Sequence, residues 1–204
     1  MESYSLYIFI NMPRVKLFNE DDILQKATNL FWEKGYNNTS IQDLVNHLGI
    51  NRGSLYDTFG GKRALFDKAF NKYLSTNYNG LIAFFEAQDS IKNGFEKFYE
   101  IPLNAAICDK GVRGCFAVNT ITEMLPEDKI MQGVLLKNKE IIERAFYDFL
   151  KKGVENGEID KTKDLNKITA FLYSFLNGLL VTAKINFDKK ELLTSVKTAL
   201  VVLD

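Results

Sequence analysis

The chain has 204 residues, of which 46% are apolar and 25% charged, and its formal net charge at pH 7 is zero. This length suits one or two domains with a proper core, and the composition is ordinary for a globular protein. Zero net charge argues against a protein that coats nucleic acid nonspecifically, and the two cysteines are too few for a disulfide framework.

The first twelve residues contain a short apolar run, Leu6 to Ile10, with no basic residue before it. Such a run is too short for the apolar region of a secretion signal. We interpret residues 1–12 as a disordered tail or an extended start, with Met12 as the true first residue. Free thiols and no export signal predict a cytoplasmic protein.

The first predicted helix runs from about Asp21 to Lys34. Asn19 is a suitable N-terminal cap, and Gly35 ends the helix. Its apolar residues recur at helical spacing, which indicates one buried face.

A second helix is predicted to begin near Ser40, because Thr39 and Gln42 have the spacing of a capping box. Gly49 ends this helix at a position suited to positive φ. A third, from Arg52 to Phe59, follows after a very short turn. Two short helices joined by a tight, glycine-containing turn are typical of a helix-turn-helix.

This segment resembles the DNA-binding domain of the TetR/AcrR family of bacterial regulators, over about Asn19 to Phe70. The matching residues are Thr39, Ile41, Leu44, Gly49, Ile50, Leu55, Tyr56, Phe59, Lys62 and Leu65, together with the upstream Phe31, Trp32, Glu33, Lys34, Gly35 and Tyr36. The resemblance implies an all-α transcriptional regulator with an N-terminal helix-turn-helix domain of three helices and a C-terminal helical domain for ligand binding and dimerisation.

The N-terminal end of the third helix is the predicted reader of the DNA major groove. Arg52 can bind guanine through two hydrogen bonds, Gly53 permits close approach, and Ser54 can contact a base or a phosphate. Asn51 replaces the family's usual Ser or Thr as the helix cap. The alternative is an exposed polar face with no role in DNA binding.

The resemblance also implies phosphate contacts by Thr39, Tyr56 and Lys62. Charge alone does not establish this surface, since residues 12–74 contain nine Lys or Arg against seven Asp or Glu.

A fourth helix is predicted from Lys62 to about Tyr73, with a break at Asn77 to Gly80. This break sets the predicted domain boundary, with a DNA-binding domain at 13–76 and an effector-binding and dimerisation domain at 77–204. The remaining helices are predicted at Leu81–Ala87, Ser90–Cys108 with a kink at Pro102, Cys115–Leu125, Glu127–Asn156, Asp164–Phe187 and Asp188–Leu203, for an all-α fold of about nine helices.

Aromatic residues are frequent in the C-terminal part and can line a cavity for an apolar or aromatic effector. The candidates are Phe84, Phe95, Phe98, Tyr99, Phe116, Phe146, Phe149, Phe171 and Phe175. Polar contacts can come from Asn119, Thr122 and Glu123. The alternative is a solid core, which the sequence does not distinguish from a cavity.

Cys115 is a possible redox sensor, because Arg113 and the start of a helix lie beside it. The alternative is that Cys108 and Cys115 are small buried apolar residues. No metal or cofactor site is expected. The single His47 is interpreted as a surface residue.

The last two helices are predicted to form a homodimer interface, since the first of them is apolar nearly all round. The predicted interface residues are Phe171, Phe175, Gly178, Leu179, Leu192, Val196 and Leu200. The apolar run Phe171 to Ile185 is interpreted as too short to cross a membrane.

The sequence therefore predicts a ligand-responsive transcriptional regulator, a repressor released from a palindromic operator by a small molecule. The alternative is a structural or partner-binding protein that uses the same fold without an effector. An enzyme is not expected, because no nucleophile–base pair or paired carboxylates occur at a telling spacing.

Overall fold

The computed structural model describes residues 18–108, 113–185 and 187–204, and of residues 106–108 it describes the backbone only. The predicted tail at 1–12 and the Cys108 side chain lie outside this description. The described residues form nine α-helices and contain no strand. The helices are α1 (Glu20–Lys34), α2 (Ile41–Leu48), α3 (Arg52–Phe59), α4 (Lys62–Glu86), α5 (Ile91–Cys108), α6 (Phe116–Met124), α7 (Lys129–Glu155), α8 (Leu165–Ile185) and α9 (Lys189–Ala199), and a 3-10 turn follows at Leu200–Leu203.

Local capping sets the ends of the first three helices. The Asn19 side chain accepts a hydrogen bond from the Asp21 N–H at 2.8 Å, and Gly49 adopts the left-handed conformation at φ 68° that ends α2. The predicted capping box is one residue out, because the pair is Ser40 and Asp43, not Thr39 and Gln42. Asp43 accepts from Ser40, and Ser40 accepts from the Asp43 N–H at 3.0 Å.

The N-terminal core is an aromatic cluster that is shared with the C-terminal part of the chain. Phe31 and Phe66 meet edge to face with ring centroids 5.1 Å apart. Phe116, from α6, packs against Phe66 and Phe70 at 5.9 and 5.2 Å. The helix-turn-helix domain is therefore attached to α6 through buried rings as well as through the chain itself.

Helix α4 connects the two parts without a break. The predicted interruption at Asn77 to Gly80 is wrong, since α4 is continuous from Lys62 to Glu86 and includes residues 81–86 of the short helix predicted at 81–87. Gly80, inside this helix, lowers the stability of the helix by only about 1 kcal/mol relative to alanine. The buried residues Leu81 and Phe85, which continue the apolar face of the helix, offset that cost.

The C-terminal core is a solid group of aromatic rings between α4, α5 and α7. Phe85 and Phe149 stack with centroids 4.4 Å apart, and Phe95 meets Phe146 edge to face at 5.3 Å. The Tyr99 hydroxyl donates to the Leu172 carbonyl of α8 at 2.9 Å, and its burial raises the pKa of this tyrosine.

A distant carboxylate caps the start of α5. Glu158, in the loop after α7, accepts hydrogen bonds from the N–H groups of Ile91 and Lys92 at 2.7 and 3.0 Å and from the Ser90 hydroxyl at 2.8 Å. Burial alone would raise the pKa of Glu158, but these hydrogen bonds outweigh it and lower the pKa.

Glu158→Gln is expected to reduce the free energy of unfolding at pH 7 by about 1 kcal/mol, the usual cost of losing a helix cap. Because the folded pKa is lowered, the contribution is present above the unfolded pKa and disappears as pH falls through the folded value. Urea unfolding at pH 7 and at pH 3 measures this. Glu140→Gln, an exposed change on α7, is the control; equal destabilisation by both variants would contradict the cap.

Candidate DNA-binding face and effector cavity

The helix-turn-helix presents the N-terminal end of α3 to solvent. The Asn51 side chain accepts from the Ser54 N–H at 2.8 Å and so caps the helix. Arg52 and Gly53 are exposed, Ser54 is half-buried, and Tyr56 is 45% exposed. Leu55 and Phe59 face inward and hold α3 against the domain core.

Two aromatic rings on this face lie close to cations. The guanidinium carbon of Arg52 is 5.8 Å from the centre of the Tyr56 ring, and the Lys62 ammonium is 4.4 Å from the centre of the Tyr36 ring. Burial lowers the pKa of Lys62, while the carboxylates of Glu123 and Asp43 act in the opposite direction. The cationic ends of the predicted DNA contacts are therefore positioned before any DNA is bound.

Thr39 is placed differently from its prediction. It is fully buried, and its hydroxyl donates to the Gly35 carbonyl at 2.6 Å. Its side chain is therefore committed to closing the turn after α1, and the predicted phosphate contact by this side chain is corrected. His47 is exposed near the end of α2, which agrees with a surface residue.

The turn after α1 is held by a carboxylate from α6. Glu123 accepts hydrogen bonds from the N–H groups of Tyr36 and Asn37 at 3.0 and 2.6 Å. A Cβ at Gly35 would lie 2.9 Å from the Glu123 carboxylate oxygens, so this approach depends on glycine. Glu123 was predicted as a polar contact for an effector, but it faces the DNA-binding domain instead.

A second polar contact links the start of α4 to the start of α7. Arg63 donates to both Asp67 and Asp128, and Asp128 caps α7 by accepting from the Met131 N–H at 2.8 Å. The bond to Arg63 lowers the pKa of Asp128. No local pattern signals these partners, because 65 residues separate Arg63 from Asp128 and 86 or more separate Glu123 from the turn.

A cavity of about 720 Å³ lies between α1, α4, α5, α6, α7 and α8. This volume is within the usual range of small-molecule sites. Exposed residues of α4 and α5 border it, including Thr76, Tyr78 and Ile101, and mark its opening to solvent. The atoms that line the cavity are mainly apolar.

The cavity lies beside the aromatic core, so most of the predicted lining residues are wrong. Phe84 and Phe98 do line it. The others pack elsewhere: Phe95, Tyr99, Phe146 and Phe149 in the solid C-terminal core, Phe116 in the N-terminal cluster, Phe171 and Phe175 along a separate outer groove, and Asn119 in hydrogen bonds to the Arg113 carbonyl and to Lys184.

Comparisons with known proteins agree on one family. The model for "Bacterial regulatory proteins, tetR family" matches residues 23–69. The uncharacterized HTH-type transcriptional regulator YezE of Bacillus subtilis (strain 168) is 32% identical over 194 residues, which are 95% of this chain and 100% of YezE. The chain belongs to the TetR family.

Further relatives extend this assignment. The HTH-type transcriptional repressor ComR of Escherichia coli (strain K12) is 28% identical over 192 residues, covering 92% of this chain and 90% of ComR. A cysteine mutant of the TetR-family transcriptional regulator CifR, solved with a 26-bp double-strand operator DNA, superposes with a TM-score of 0.84 at 26% identity, covering 94% of this chain and 100% of that one. TetR-family proteins are DNA-binding transcriptional regulators. The predicted family, the all-α fold and the prediction of a regulator instead of an enzyme are therefore confirmed.

Cys115 lies at the edge of the cavity of this TetR-family regulator. It occupies the N-cap position of α6, its side chain makes no capping hydrogen bond, and its sulfur is 3.7 Å from the Tyr73 hydroxyl oxygen. Burial raises the pKa of Tyr73. The Arg113 guanidinium, predicted to activate the thiol, stacks over the Trp32 ring at 4.7 Å. Redox sensing by Cys115 stays a prediction.

The predicted dimer residues divide into two groups. Phe171, Phe175 and Gly178 lie on the outer side of α8, where Phe171 is 44% exposed. The other four, Leu179, Leu192, Val196 and Leu200, are buried inside the subunit and are corrected to core residues. The outer groove beside Phe171 and Phe175 is completed by α9 and the 3-10 turn, through Thr194, Ser195, Thr198, Ala199, Val201 and Val202.

Proposed function

We propose that this TetR-family protein is a homodimeric repressor of the bacterial cytoplasm that a small molecule releases from a palindromic operator. The observation that carries the proposal is the unbroken helix α4. Its first residue, Lys62, stands at the DNA-binding face, and its residues 72–84 border the cavity. A ligand that displaces the cavity wall must therefore move the same rigid element that supports the DNA-binding face.

The DNA contacts we propose divide by role. Arg52, at the exposed N-terminal end of α3, reads a base, with Gly53 and Ser54 beside it against the groove. Tyr56 and Lys62 contact phosphates and set the position of the helix. Asn51 acts through its cap of α3 and not as a primary contact.

A second subunit is the occupant we propose for the exposed apolar side of α8. This helix is 21 residues long and contains an 18-residue window with a mean hydropathy of 1.5, so by length and composition alone it could cross a membrane, contrary to the sequence-based expectation. Its inner face packs on α5, α6, α7 and α9. Phe171, Val181 and Ile185 point outward, and in a TetR-family regulator a symmetric partner suits this face.

Gly178→Arg is expected to weaken dimerisation at least about tenfold while leaving the subunit folded. Nothing lies within 4 Å of a Cβ built at Gly178, so the subunit has room for the arginine, whereas a symmetric interface would bring two of them together. Sedimentation velocity at micromolar concentration measures this. Gly133→Arg, at an equally open position on α7, is the control. A monomeric wild type, or no effect of Gly178→Arg, would contradict the proposed interface.

Effector release is testable once an operator is known. DNA fragments selected from a random pool by the purified protein provide that operator, and fluorescence anisotropy of a labelled duplex then screens a compound library for release. Leu180→Trp, which fills part of the cavity from α8, is expected to keep operator affinity and lose release by any active compound. Equal release of wild type and Leu180→Trp would place the effector outside the cavity and overturn the proposal.

A further inference from the structure

One wall of the cavity belongs to the DNA-binding domain itself. Gln25, Thr28 and Trp32 of α1 line the cavity, and their spacing of three and four residues places them on one side of the helix. On a neighbouring side of α1, Ala27 and Phe31 are fully buried in the core of the helix-turn-helix domain. A ligand in the cavity therefore lies against the same helix that forms this core.

Trp32 joins α1 to two other elements at the edge of the cavity. Its indole N–H donates to the Gly114 carbonyl, in the segment before α6, at 3.0 Å. Its ring meets the ring of Tyr73, on α4, edge to face with centroids 5.3 Å apart. All three residues line the cavity, and Trp32 is only half-buried. A ligand at this end of the cavity therefore contacts the point where α1, α4 and the segment before α6 meet.

The same end of α1 is close to the proposed phosphate contact. The ring centroid of Phe31, the neighbour of Trp32, lies 6.3 Å from that of Tyr36 and 5.1 Å from that of Phe66. The Lys62 ammonium lies 4.4 Å from the centre of the Tyr36 ring. Closely packed rings transmit a displacement because they leave little free volume to absorb it. A shift of Trp32 therefore reaches Lys62 through α1 and the turn that follows it.

We propose that a ligand in the cavity acts on the DNA-binding domain directly, with Trp32 as the contact and α1 as the element that moves. This rests on the proposed function, which makes the cavity the effector site, and it adds a second route to the movement of α4. The effector has an apolar surface that lies against the indole ring. It binds more tightly when α1 is displaced, and this difference in affinity between the two positions of α1 lowers operator affinity.

The fluorescence of the protein tests the contact, because Trp32 is its only tryptophan. Two neutral probes of the same shape are titrated into the full-length protein. 4,4′-Dibromobiphenyl carries a bromine atom at each end, which quenches an indole that it touches, and 4,4′-dimethylbiphenyl carries methyl groups in their place. The dibromo probe is expected to remove most of the Trp32 emission, and the dimethyl probe to leave most of it. Displacement of fluorescent N-phenyl-1-naphthylamine measures how much of each probe is bound.

The effect on DNA binding is measured with 4,4′-dimethylbiphenyl at saturating concentration, so that a change in probe affinity does not alter the result. In wild type the probe is expected to lower operator affinity about tenfold, within the usual range of coupling between two sites. Trp32→Leu removes the ring that the probe displaces and should reduce this factor to about twofold, the part that α4 still transmits. A residue that only stabilised the fold would instead change operator affinity equally with and without the probe.

Two further variants complete the comparison. Trp32→Phe keeps a ring against Tyr73 but loses the N–H donor to Gly114, so its coupling factor should be intermediate. Phe98→Leu also replaces a ring on the cavity wall by leucine, but on α5. It should weaken probe binding and keep the wild-type factor at saturation. Operator binding without the probe confirms that each variant is folded.

The outcomes distinguish the contact on α1 from the effector site. Three results would overturn the inference and leave release through α4 standing: bound dibromobiphenyl that does not quench Trp32, quenching without any loss of operator affinity, or a wild-type coupling factor in Trp32→Leu. If neither biphenyl displaces N-phenyl-1-naphthylamine from a wild type that still binds operator, or if the naphthylamine binds Leu180→Trp as well as wild type, the cavity is not the ligand site. The proposed function then fails with the inference.

Discussion

Arg52→Ala is expected to cost about 1–3 kcal/mol of binding free energy per half-site on the operator and far less on random DNA. The Arg52 side chain is exposed at the first position of α3, where the helix-turn-helix geometry directs it to base edges. A symmetric dimer loses the Arg52 contact in both half-sites, so the total loss of binding free energy on the operator is about 2–6 kcal/mol.

Lys62→Ala is expected to weaken both duplexes alike, because a phosphate contact carries no sequence information. It should also reduce the dependence of log K on log salt concentration by about one unit per monomer. Lys62 is half-buried over Tyr36, so its ammonium is directed by the ring and is not a freely moving surface charge.

A salt titration of wild type, Arg52→Ala and Lys62→Ala on operator and random duplexes measures both effects. Arg144→Ala, on α7, is the control for a lost surface arginine. Equal losses on both duplexes for the two variants would remove Arg52 from base reading. No loss on either duplex would refute the proposed DNA face. The selected operators should be palindromic, with half-site centres at least one helical turn, about 34 Å, apart.

The short helices were predictable because their ends are determined by neighbouring residues. Asn19, Gly35, Gly49 and Asn51 each act on backbone groups within four residues, so the chain itself carries the signal. The bounds of α3 agree with the prediction. The capping box was displaced by one residue because Thr39 can cap as well as Ser40; burial of Thr39, a tertiary effect, decides between them.

The orientation of the last helices was not predictable from apolar spacing. α8 is apolar on both sides, and the inner side holds Leu172 and Leu179 while the outer side presents Phe171 and Val181. α9 presents threonines outward and buries Val196, the reverse of the predicted assignment. Aromatic residues gave the same ambiguity at the cavity, because a phenylalanine packs equally well in a solid core or on a cavity wall.

The link between the domains was the least predictable feature, and it carries the last prediction. Glu123→Ala is expected to reduce operator affinity about tenfold and to reduce the ratio of operator affinity without and with effector by a similar factor. The Glu123 carboxylate accepts two N–H groups of the turn that precedes α2. Its loss leaves these donors to solvent and lets the helix-turn-helix move relative to α6.

Both effects follow from the same loosened contact. A dimer reads two half-sites only when its two α3 helices are held at the matching separation, so a mobile domain must be ordered again upon binding. Effector coupling also falls, because a displacement of α6 then reaches the DNA-binding face through α4 and the buried rings alone. Glu123→Gln keeps the side-chain size and one acceptor oxygen, and its effect should be intermediate.

Anisotropy titrations on the operator, with and without an active compound, measure affinity and coupling together. Hydrogen exchange at the amides of Tyr36 and Asn37 gives an independent readout, since both should exchange faster in Glu123→Ala than in wild type. Glu127→Ala removes an exposed carboxylate four residues further along the chain and should change none of these quantities. If Glu123→Ala exchanges faster at the two amides but keeps full operator affinity and coupling, the contact stabilises the turn without transmitting the effector signal.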